Sequence, residues 1–192
     1  SRVDLDPLGI RHLGLSPDTV VVTGEGDVRL FDVGLMEALI TPGWATHDRH
    51  NETLRYLAPE VLRGDGVTAA TDIFSIGAIL FELLTGEPAF AGETGGALIA
   101  AMQAGPPTPK YLDPRSAAIV SRALHPLPAQ RFASMDGVVE ALRSLLVPRV
   151  QRARNDLGAQ VRRLLGRPTV RLGSGVTTAA ATAGGPSAEK GP

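Results

Sequence analysis

Thr71-Asp72-Ile73-Phe74-Ser75-Ile76-Gly77-Ala78-Ile79-Leu80-Phe81-Glu82-Leu83-Leu84-Thr85-Gly86 is the most apolar run in the chain. Ile73, Ile76, Ala78, Ile79, Leu80, Leu83 and Leu84 surround nearly the whole of a helical cylinder. That is the pattern of a helix buried at the centre of a domain. Gly86 follows as a C-terminal cap. A membrane span needs roughly 20 apolar residues, and this run is shorter and carries Ser75 and Glu82.

Downstream of it the apolar residues keep a helical period. Helices are expected from about Gly95 to Gln103, from Pro114 to Leu124, and from Ser134 to Leu146 with Ser134 as the cap. Upstream, Val20-Val21-Val22, the turn Gly24-Glu25-Gly26-Asp27 and the alternating Val28-Arg29-Leu30 read as a β-hairpin. Asp32 to Asn51 has little period and is expected to form a long loop. Periodicity alone gives a mainly helical domain with one small hairpin.

Composition agrees with a packed domain. The 192 residues are 43% hydrophobic and 20% charged, with net charge −1, too apolar and too neutral for a disordered chain. There is no cysteine, hence neither a disulfide framework nor a thiolate metal site. His12, His47, His50 and His125 cannot form a spaced zinc motif without carboxylates. With no initiator Met and no signal peptide pattern, the chain is expected to be a piece of something longer.

The charge is split. Residues 1–146 hold 11 Lys+Arg against 18 Asp+Glu, a balance of −7, while residues 147–192 hold 8 against 2, a balance of +6. We therefore expect a globular part at 1–146, a basic amphipathic helical extension at 147–167 and a disordered Ala/Thr/Gly/Pro-rich tail at 168–192. Across the extension and the start of the tail, Arg149, Arg152, Arg154, Arg162, Arg163, Arg167 and Arg171 are interleaved with Val150, Leu157, Val161, Leu164 and Leu165. Two readings stay open: a helix that touches an anionic membrane surface or an acidic partner, or a continuation of the last helix that docks one stripe onto the domain. Nucleic acid is not expected as a partner, because no aromatic residue lies among the arginines.

Five segments, in order, carry a resemblance. His12-Leu13-Gly14-Leu15-Ser16-Pro17-Asp18-Thr19 followed by Val20–Val22 lies where protein kinases have H-R-D-L-K-P-x-N and an aliphatic run. Asp32-Val33-Gly34, ten residues later, stands at D-F-G, and Thr53-Leu54-Arg55-Tyr56-Leu57-Ala58-Pro59-Glu60 at T-x-x-Y-x-A-P-E. The central run matches D-I-[YF]-S-[LI]-G … E-L-L-T-G, and Pro128-Ala129-Gln130-Arg131-Phe132 matches P-x-x-R-F. The sequence resembles the large, C-terminal lobe of a bacterial-type serine/threonine protein kinase. The resemblance implies a protein kinase-like fold of the α+β class, large lobe only, over residues 10–146.

It also implies roles. His12, Gly34, Glu60, Asp72 and Arg131 would be structural motif residues. Glu60 and Arg131 would form a buried pair that pins the activation segment, and Asp72 would cap its helix or tie down the catalytic-loop backbone. Asp32 would hold Mg²⁺. Mg-ATP is implied as a cofactor only through the family, since nothing before residue 10 resembles the small lobe that closes the nucleotide pocket.

The departures concern the chemistry. The catalytic aspartate position is Gly14, the arginine before it is Leu13, the phosphate-contacting lysine is Ser16, the second metal-holding asparagine is Thr19 and the D-F-G phenylalanine is Val33. Glycine cannot accept a proton, and general base catalysis is commonly worth about 10²–10⁴-fold. No catalytic residue is expected. The first reading is a catalytically impaired, pseudokinase-like module that binds protein partners or a missing small lobe in signalling. The alternative is an ATP-dependent serine/threonine kinase whose small lobe lies outside this chain. Thr41, Thr46 and Thr53 lie in the activation-segment region, where a phosphate would find Leu13 in place of the receiving arginine. The expected location is cytoplasmic, or peripheral to a membrane through the basic extension.

Overall fold

The hairpin comes first in the fold, and helices follow it. The computed structural model describes residues 11–34, 51–107, 112–146 and 150–166. Strands β1 (Val20–Val22) and β2 (Val28–Leu30) form a two-stranded sheet. Then come α1 (Asn51–Leu54), α2 (Pro59–Arg63), α3 (Ala69–Thr85), α4 (Gly95–Gln103), α5 (Pro114–Ala123), α6 (Met135–Leu146) and α7 (Val150–Leu165). Among the described residues no helix is long and apolar enough to cross a membrane. Most of the expected long loop, with Thr41 and Thr46, lies outside the described residues, as does the tail from residue 167.

The chain divides into two compact units: Ser1–Val21 with Val28–Val150, and Val22–Asp27 with Gln151–Pro192. In the first unit α3 is the axis. Ile73, Phe74 and Ala78 are completely or almost completely buried. One side of α3 joins Leu57, Val61, Leu98 and Met102 in one apolar cluster, and the other joins Ile119, Ala123, Phe132 and Val138 in a second. Phe74 stacks on Phe90 with ring centroids 5.6 Å apart. Gly77 is where α5 comes closest, since a Cβ there would lie 2.8 Å from the Ala123 Cβ and 3.2 Å from Leu124.

Three details differ from the sequence reading. Helix α3 starts at Ala69, and its cap is the Thr68 hydroxyl, which accepts from the Ala70 N–H; Asp72 lies inside the first turn and serves another element. Leu83 (78% exposed) and Leu84 near the C-terminal end of α3 face outward, so the burial does not extend round the last turn. Helix α5 ends at Ala123, one residue before the expected Leu124, and Val28, Leu30, Phe31 and Val33 are exposed. The short helices α1 and α2 carried too few residues to show a period. Gly86 does close α3, with φ +78°.

In the second unit, α7 packs on the hairpin turn. Gly158 is buried, and a Cβ on it would lie 2.7 Å from the Gly24 carbonyl oxygen and 2.8 Å from the Gly26 nitrogen. Arg154 pairs with Asp27 at 2.5 Å, and Arg162 donates to the Gly24 carbonyl. The Thr23 hydroxyl shapes the turn by accepting from the Glu25 and Asp27 N–H groups. The helix thus meets the turn through a glycine and two arginines.

The tight crossing at Gly77 is testable. Gly77→Val is expected to lower the unfolding free energy in urea by about 1–3 kcal/mol, the usual cost of overpacking a filled core.

Candidate active site

The loop from His12 to Thr19 is held by two devices. The first is Asp72, whose carboxylate accepts the His12 N–H at 2.9 Å and the Leu13 N–H at 2.8 Å. Leu13 is left-handed, with φ +59°, a conformation that costs a β-carbon residue roughly 1–2 kcal/mol. Two charge-assisted bonds to one carboxylate, each worth about 1.5–3 kcal/mol, hold it there. Of the two roles expected for Asp72, the geometry gives it the tie to the loop.

The second device is Thr19. Its hydroxyl accepts the Ser16 N–H at 3.1 Å and lies 3.0 Å from the Ser16 carbonyl and 3.4 Å from the Gly14 carbonyl, to which it can donate. A 3-10 turn at Pro17–Thr19 closes the loop. Gly14 and Ser16 are buried, Ser16 at 1% exposure, while Asp18 is exposed on the turn. His12 is 5% exposed, and both its ring nitrogens lack a hydrogen-bond partner among the described residues.

Asp32 follows β2 with φ +59° and an exposed side chain, ahead of Gly34 at φ +77°. Mg²⁺ is commonly held by one or two carboxylates together with substrate phosphates. Asp32 offers one such carboxylate. Thr19 cannot add a second, because it has no carboxylate and its hydroxyl is committed to its own loop. Among the described residues no three His, Cys, Asp or Glu side chains gather into a metal-holding group. The donors present fit one contact to one ion.

Glu60 and Arg131 meet in the interior. Arg131 Nη1 reaches Glu60 Oε1 at 2.7 Å and Nη2 reaches Oε2 at 2.8 Å, with both residues 2% exposed. The other donors go to the carbonyls of His125 (2.8 Å), Ala70 (2.8 Å) and Pro126 (3.3 Å). All five guanidinium N–H groups are thereby used. The Arg131 Cζ also sits 4.9 Å from the Phe74 ring centre, and Thr71 donates its hydroxyl to Glu60 at 3.1 Å.

Comparison with known proteins agrees with this geometry. Residues 6–142 match the protein kinase domain. The chain belongs to the protein kinase family. It is 39% identical over 90 residues to the probable serine/threonine-protein kinase PknB of Lactococcus lactis, covering 47% of this chain and 14% of that one. It is 32% identical over 131 residues to the serine/threonine-protein kinase PknB of Mycolicibacterium smegmatis (65% of this chain, 21% of that one). It is 33% identical over 129 residues to the serine/threonine-protein kinase AtPK1/AtPK6 of Arabidopsis thaliana (66% and 27%). The chain thus spans from about one seventh to about one quarter of the length of these relatives.

In this kinase-family chain the structure also adds a pair that the sequence reading did not single out. The Tyr56 hydroxyl donates to the Glu82 carboxylate at 2.5 Å. The signal available was a tyrosine among Leu54, Leu57 and Ala58, since a buried phenol needs a partner. Burial first, then the hydrogen bond and charge of Glu82, raise the Tyr56 hydroxyl above its ordinary 10.0.

Two outcomes follow. Arg131→Met alone is expected to cost about 3–5 kcal/mol in denaturant unfolding, because it strands a buried carboxylate, whereas Glu60→Leu/Arg131→Met is expected to cost less. For Tyr56, a raised folded-state value means the native state keeps its proton longer than the unfolded state. Its contribution is whole below pH 10.0 and is lost as pH rises beyond that value. The alkaline fall in unfolding free energy should therefore be shallower in Tyr56→Phe than in the parent chain.

Proposed function

We propose that this chain is the large-lobe part of a catalytically impaired, pseudokinase-like domain that works by binding proteins. The observation that carries the reading is the loop itself: its frame is held by Asp72 and Thr19 while the position of the proton-accepting carboxylate is Gly14. Ser16, where a lysine would reach phosphate, is a short and buried side chain. Asp18 is two residues along the turn from Ser16 and exposed to solvent, so it does not stand in for the missing group. In this reading Mg-ATP is not turned over, and Asp32 keeps a metal position inherited from the family. The exposed apolar residues Val28, Leu30, Phe31 and Val33 form the surface that a small lobe or a protein partner would cover.

A second reading has its own support. The relatives all carry names of serine/threonine kinases, which fits an ATP-dependent kinase completed by a small lobe outside this chain. One experiment separates the two. The native-length product is purified from its source cells, its intact mass is measured, and phosphate transfer from Mg-ATP to a generic basic protein is followed. A Gly14→Asp variant and an active PknB serve as comparisons. The expected result is no transfer above the enzyme-free blank, at least about 10²-fold below PknB. Mg²⁺-dependent transfer by the parent protein at a rate near that of PknB would establish the kinase reading instead.

A further inference from the structure

Helix α7 meets the hairpin turn through one narrow face. Arg154, Gly158 and Arg162, spaced by four, are the residues that meet the hairpin turn. Leu157, Val161 and Leu164 lie about a quarter turn away round the helix. Leu157 is 37% exposed, Leu164 86% and the adjoining Leu165 62%. Val161 is half-buried, so the stripe is partly covered at its middle and open to water chiefly at Leu164 and Leu165. The polar arc carries Arg152 and Arg163, both exposed and in no ion pair among the described residues.

Charge selects the occupant. Helix α7 holds four arginines against Asp156 alone, a balance of +3, while residues 1–146 carry −7. An anionic surface would therefore attract this helix. A second copy fits poorly, since a stable interface buries about 800 Å² on each partner, and a few aliphatic side chains fall well short. Protein hot spots favour tryptophan and tyrosine beside arginine, and the helix has no aromatic residue. A bilayer makes no demand for shape. It needs an aliphatic stripe to enter the acyl boundary and long cations to reach the headgroups.

We propose that α7 is a surface-lying helix for anionic lipid, inserting Leu157 and Leu164 while its arginines contact the headgroups. The hairpin contact fixes the helix and leaves Leu157, Leu164 and Leu165 exposed.

The test is sedimentation of the full chain with vesicles of phosphatidylcholine alone or with one-third phosphatidylglycerol. Severalfold more protein is expected in the pellet with the mixed vesicles, and high salt should weaken binding. Leu157→Glu/Leu164→Glu should return pelleting to the phosphatidylcholine level with an unchanged thermal melt. Arg152→Gln/Arg163→Gln, on the opposite arc, should reduce it as well, and serves if the leucine variant fails to fold. No pelleting by the parent chain would overturn the proposal. So would equal pelleting by the leucine variant, which would leave only charge attraction. Concentration-dependent self-association lost in that variant would assign the stripe to a second copy and also overturn it.

Discussion

The pairing of Glu60 with Arg131 joins segments 71 residues apart in sequence, and the first unit is organised around it. A bidentate ion pair taken out of water is stable only if every remaining donor is also met. Arg131 satisfies that condition by drawing in the carbonyls of Ala70, His125 and Pro126. Those carbonyls belong to the start of α3 and to the turn before Arg131, so a single side chain fixes the start of α2, the axis helix and the late turn together. Phe74, fully buried under the guanidinium, links the pair to the apolar core.

From that anchored helix comes the second constraint. Asp72 can hold the His12 and Leu13 amides only because α3 is fixed in place by the core and by the pair one turn away. The loop is thus shaped by side-chain-to-backbone bonds from Asp72 and Thr19. Thr19 even contributes to that form, since its hydroxyl ties both the N–H and the carbonyl of Ser16. In protein kinases catalysis consists of positioning and charge stabilisation around the transferred group. In this chain Asp72 and Thr19 hold the backbone of the loop, whose positions 14, 16 and 19 are Gly, Ser and Thr.

The second unit follows a different logic. Its contact is made of backbone brought close to backbone, with Gly158 against the Gly24–Gly26 turn and arginines at either side. Helices usually dock by an apolar stripe. Here Leu157, Leu164 and Leu165 remain exposed beside the contact.

By itself the sequence determined the elements whose signal is local. The hairpin, the C-terminal cap at Gly86 and the helices at Gly95–Gln103, Pro114–Ala123 and Met135–Leu146 were legible because strand alternation, helical period and capping act over a few residues. Glu60, Asp72 and Arg131 were singled out through resemblance and not through periodicity. Tertiary structure alone decided which partner each polar group takes. Asp72 could serve its own helix or a loop 60 residues away, and only the fold brings the His12 amide to it. Tyr56 and Glu82, and Gly158 and the hairpin turn, are likewise joined across long separations that no local pattern encodes. The exposure of Val28 and Leu30 has the same origin: alternation marks a face as apolar, but which element covers it depends on the packing of the whole chain.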